Sequence, residues 1–150
     1  MAPVPVPARV AAAHPAMAAA WDAYLRGVFA HPALPAGTLD LCLVRIAGLL
    51  GDADGGPGPV APAPADLTDR VAALPAWTTD PRIGPVDRAC LALAEQFVLD
   101  AQALDDATTE AVRAVVGDRG LAVLVIGVGL AEGLVRAGLA LGDGGTGPVA

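Results

Sequence analysis

Apolar residues recur along this chain at spacings of three and four and hardly ever in strict alternation, a pattern that predicts helices and no strand of useful length. Pro15 stands where a first helical turn tolerates it, and Met17, Trp21, Tyr24, Leu25 and Val28 follow on one face. A second helix starts at Thr38, whose hydroxyl is placed to cap it. It carries Leu39, Cys42, Leu43, Ile46, Leu49 and Leu50 on one side and Asp40, Val44 and Gly48 on the other. Leu67, Val71 and Leu74 mark a third helix; Pro85 opens a fourth with Val86, Cys90, Leu93, Ala94 and Phe97. Asp105 is placed to cap a fifth ending at Gly117, and Asp118 to cap a sixth reaching about Leu141. The sixth is apolar nearly all round in its first half, which predicts the central element of an all-α, six-helix bundle. Gly127, Gly129, Gly133 and Gly138 along it would let neighbouring helices approach closely.

The breaks between these runs set the organisation: one domain over residues 1–150, with a Pro-rich extended leader at 1–8, a Gly/Pro-rich loop at 51–65 and a flexible tail at 143–150. No apolar stretch follows a basic region at the N-terminus, and the uncharged run Gly120 to Ala131 is too short to cross a bilayer. The expectation is a cytoplasmic protein with no membrane partner.

Composition narrows the chemistry by what is missing. The chain contains no Ser, no Lys and no Asn, so a Ser-His-Asp hydrolase, a lysine Schiff base and a Walker-type phosphate loop each lack their central atom. The nine basic residues are all Arg, against sixteen acids, and a net charge of −7 repels a nucleic-acid backbone. Cys42 and Cys90 form no C-x-x-C and, with His14 and His31 each beside a proline, no metal spacing; neither a metal nor a cofactor is expected. The heavy use of Ala, Gly, Pro, Val and Arg reflects GC-rich codon supply as much as function.

The second helix, "LPAGTLDLCLVRIAGLLGD", resembles that of the carboxymuconolactone decarboxylase and alkylhydroperoxidase D-like superfamily: Leu34, Pro35, Leu41, Leu43, Arg45, Ala47 and Gly51 stand at matching places, and Asp40 takes the place of the family's acid. "DRACLALAEQFV" is similar to the family's fourth helix, and "DDATTEAVRAVVGDRGLAVLVIGVGLAEGLVRAGLALG" to its last two, with Arg136 where the family often has Arg. The resemblance implies the alkylhydroperoxidase D-like bundle and a homo-oligomer, trimer or hexamer. Redox members of the family carry their first cysteine twelve residues after the acid, the second three further on, and a histidine four beyond that. Here those positions hold Asp52, Gly55 and Pro59. Without that thiol pair the family's peroxide reduction has no nucleophile.

Several side chains remain as candidates, each with a plainer reading beside it. Asp40 serves as a general base if burial raises its pKa, or it is an acid favoured by the dipole of a first helical turn. Asp52, about 120° around an ideal helix from Asp40, is an active-site acid or a solvated loop residue. Glu132 interrupts the most apolar helix, which suits a pocket carboxylate, but Arg136 lies four residues on in the favourable order for an ion pair. Arg45 suits clamping a carboxylate or carbonyl oxygen, or pairing with an acid inside the bundle. Trp21 and Tyr24 are core residues or the walls of a pocket for a planar substrate.

Two main expectations follow. The first is a non-redox small-molecule enzyme, a decarboxylase, isomerase, elimination or cyclisation catalyst of specialised biosynthesis. Its catalytic carboxyls would be Asp40, Asp52 and Glu132, and Arg45, Arg136, Trp21 and Tyr24 would hold a carbonyl- or carboxylate-bearing substrate. The alternative is a catalytically silent binding or assembly protein of the same family. A thiol redox enzyme using Cys42 and Cys90 is a third reading, which requires the two sulfurs to meet.

Overall fold

The computed structural model describes residues 8–52 and 58–141, and every regular element among them is helical. In chain order these are α1 (Ala8–Ala13), α2 (Pro15–Phe29), α3 (Thr38–Leu49), α4 (Leu67–Ala73), α5 (Pro85–Leu99) and α6 (Asp106–Leu141), with 3-10 turns at Leu74–Ala76 and Ala101–Ala103. Helical periodicity in the sequence therefore led to the right class. The six helices are not quite the six predicted. Residues 8–13 form a short helix that starts on the last residue of the expected leader, and the predicted fifth and sixth helices run on as α6 across a break at Gly117. That glycine has φ 72° and ψ 179°, a conformation that L side chains rarely adopt, so the chain changes direction where the glycine permits it. The rest of the leader, the middle of the Gly/Pro loop and the expected tail lie outside the described residues.

Two of the three predicted caps change. Asp105 does cap α6, its Oδ1 accepting from the Thr108 N–H at 2.6 Å, a bond that holds its carboxyl below the usual range. Asp118 instead accepts from Arg113 Nε at 2.7 Å, across the break. Thr38 is the first residue inside α3 rather than its cap: the capping position falls on Gly37, and the Thr38 hydroxyl is directed at another helix.

The most enclosed element is α3, with eight of its twelve residues buried, lodged against α4, α5 and α6. The long apolar helix α6 packs on α2, α3 and α5, yet only eight of its thirty-six residues are buried. By length and composition alone it passes as a membrane span, unlike the short uncharged run considered by itself, and only 28% of its most apolar window is buried against the bundle. An apolar surface on all sides exceeds what three neighbours cover, so Val115, Val125, Ile126 and Leu139 stay exposed. Where α6 crosses α3 the contact is close: a Cβ on Gly127 would fall 2.5 Å from Leu39 Cδ2.

Candidate functional site

Polar chemistry gathers at the start of α3. Gly37, with φ 81°, turns the chain into the helix, and a Cβ there would lie 2.9 Å from Pro64 Cγ and 3.2 Å from Arg70 Nη1. The bare backbone thus lets both the loop after α3 and the Arg70 side chain close over this corner. Thr38 Oγ1 donates to Asp87 Oδ1 at 2.8 Å, while Arg70 donates to Asp87 Oδ2 from Nε at 3.1 Å and from Nη2 at 2.8 Å. The third arm of the guanidinium donates to the Ala36 carbonyl at 3.1 Å, and Asp66 lies 3.6 Å from it. Thr38, Arg70 and Asp87 are all buried, so this pair is desolvated and its lone pairs and protons are satisfied internally.

Two residues further along α3, Asp40 is 2% exposed. Its Oδ1 accepts the Val60 N–H at 2.8 Å, and its Oδ2 is buried with no hydrogen-bond partner among the described residues. Burial raises the Asp40 pKa above its ordinary value, opposed by the amides of Val60 and Ala61 and by the charge of Arg70. Val60 is held from both sides, because its carbonyl accepts from Arg26 Nη1 of α2 at 3.4 Å and its side chain is 1% exposed. The segment after α3 therefore folds back so that its backbone caps the Asp40 carboxyl.

The remaining candidates sit elsewhere. Arg45 Nε donates to Glu95 Oε1 at 2.5 Å, and Trp77 Nε1 donates to the same oxygen at 2.9 Å, an ion pair joining α3 to α5. Asp52 is half-buried just past α3, its backbone N–H donating to the Ala47 carbonyl at 2.9 Å. Glu132 accepts from Arg136 Nε at 2.9 Å within α6. Trp21 and Tyr24 face the seam between α2 and α6. Tyr24 lines an apolar groove of about 400 Å³ with Val28, His31, Val123 and Ile126, and Trp21 a smaller one of about 250 Å³ with Met17, Gly133 and Leu134. None of Asp40, Asp52 and Glu132 lines either groove.

Both cysteines are buried and free. Burial pushes the Cys42 thiol well above its usual value and that of Cys90 up to about 12, and their mutual proximity raises Cys42 further. A thiolate is thus disfavoured where redox chemistry would need one. Among the described residues no three His, Cys, Asp or Glu side chains assemble as a metal-binding group.

Arg70 and Asp87 were not among the candidates from sequence, yet a signal existed. Arg70 falls three residues after Leu67, and Asp87 three before Cys90, so each charge occupies the buried register of its own helix. Two charges of opposite sign in core registers are most economically explained as partners. Their separation of seventeen residues, by contrast, follows no helical period. Comparison with family models, with curated proteins and with solved structures finds no match to this chain.

Proposed function

We propose that the chain is a non-redox small-molecule enzyme resembling the carboxymuconolactone decarboxylase-like proteins, with Asp40 as its proton-transfer group. The observation that supports this is the Asp40 carboxyl, buried, raised in pKa and left with one unpartnered oxygen. A carboxyl in that state holds a proton near neutral pH more readily than a solvated one and has a free oxygen with which to deliver or accept it. The reaction class this suits is decarboxylation, isomerisation, elimination or cyclisation of a carbonyl- or carboxylate-bearing molecule. Asp52 is the second carboxyl of the reading. Arg45, Glu132 and Arg136 contribute only by opening their present ion pairs. The proposal places the enzyme in the cytoplasm, as a homo-oligomer.

The test is turnover of a panel of lactone carboxylates and β-keto acids, followed by product mass and released CO₂. Asp40→Asn is expected to lower kcat by about 10²-fold or more, the range for loss of a general acid or base. Unchanged turnover in Asp40→Asn, Asp52→Asn and Glu132→Gln alike overturns the assignment.

A second reading, a catalytically silent binding or assembly protein, is favoured by the closed Arg70–Asp87, Arg45–Glu95 and Arg136–Glu132 pairs and by grooves without acids. It expects no turnover on any member of the panel, with a trimer or hexamer in sedimentation.

A further inference from the structure

Residues 58–64 cross the N-terminal half of α3 and are pinned at three points. The Val60 N–H donates to Asp40 Oδ1 at 2.8 Å, the Val60 carbonyl accepts from Arg26, and Pro64 lies against the bare backbone of Gly37. Only the first of these pins involves a group that titrates in the acid to neutral range, and that group is enclosed by the segment it holds. Closure leaves Oδ2 of Asp40 without a partner, whereas opening would admit water to both oxygens.

We infer that residues 58–64 form a proton-coupled strap, pinned over Asp40 while its carboxyl is neutral and released as that carboxyl ionises. The inference concerns the strap alone and stands whether or not Asp40 is catalytic. Ionised and closed, the carboxylate keeps the amides of Val60 and Ala61 but has a bare, desolvated Oδ2; ionised and open, both oxygens are hydrated. The groups around it do not reverse this preference. Arg70 of α4 favours the charge but is committed to Asp87 of α5. Cys42 and Cys90 are neutral thiols, Arg26 of α2 reaches the far side of Val60, and on α6 Glu132 and Arg136 pair with each other.

The sign of the pH effect follows from linkage. The closed state holds the Asp40 proton above the ordinary value of 3.8, the open state near it, so closing takes up a proton between the two. Strap opening therefore grows as pH rises from about 3.8 to the closed-state pKa, by up to about tenfold per pH unit, and levels off beyond.

Hydrogen exchange of the Val60 and Ala61 amides in the full chain, corrected for intrinsic rates, measures this opening between pH 4 and 8. The expected result is a protection factor that falls across the window and then levels, with its upper limit at the midpoint of the Asp40 carboxyl ¹³C titration. Asp40→Asn keeps an oxygen for the Val60 amide and removes the titration, and is expected to flatten the profile. Constant protection in the wild-type chain, a midpoint that differs from that of the Asp40 carboxyl, or the same slope in Asp40→Asn overturns the inference. The first two outcomes need no variant, so the test holds even where Asp40→Asn does not fold.

Discussion

The start of α3 and the seam between α2 and α6 solve opposite problems. At the start of α3 an arginine, two aspartates and a threonine are taken out of water, and nearly every polar atom finds a fixed partner. Along the seam the side chains are apolar, yet Met17 is 54% exposed, Tyr24 52% and Ile126 46%. Between these two regions the usual order is reversed, the polar residues buried and the apolar ones partly exposed. Directional bonding to charges fixes one geometry and is costly to break, whereas an apolar seam against water tolerates change and leaves room for a molecule or another surface. Of the acid candidates Asp40 belongs to the rigid region, whereas Asp52 lies past the far end of α3 and Glu132 on α6; the aromatic candidates belong to the permissive seam.

Three substitutions test this contrast, the strongest first. Arg70→Ala would leave Asp87 buried without its counter-charge and Ala36 without a donor, and is expected to cost about 3–5 kcal/mol in urea unfolding. A loss below about 1 kcal/mol would mean that the corner is hydrated and not rigid. Gly37→Ala combines a left-handed backbone with a Cβ 2.9 Å from Pro64 Cγ, and an expected loss of about 1–3 kcal/mol is read from the same unfolding curves. Ile126→Ala, on the seam, is expected to change stability by no more than about 0.5 kcal/mol and independently of protein concentration. A larger, concentration-dependent loss would show that a second copy covers the seam.

The redox machinery of the resembling family needs a thiolate, and two separate features of this chain oppose it. The positions that would carry cysteines hold Asp52 and Gly55, and the two cysteines that remain are enclosed in apolar surroundings. The Gly/Pro-rich segment after α3 supplies, from Val60, the amide that satisfies half of the Asp40 carboxyl. Its glycines and prolines suit that role, because an extended, helix-incompatible stretch can turn back along α3 where a continued helix would run past it.

Local pattern alone determined every helix but α1, their approximate ends, the break at Gly117 and the i,i+4 pairing of Glu132 with Arg136, because each depends on residues within one or two turns. The Arg70–Asp87 pair, the Arg45–Glu95–Trp77 contact, the redirected Thr38 hydroxyl and the Val60 cap on Asp40 join residues 17 to 50 positions apart. Those partnerships are decided only when packing brings helices side by side. Burial then turns an ordinary first-turn aspartate into a carboxyl of raised pKa, a property that belongs to its surroundings and not to its place in the chain.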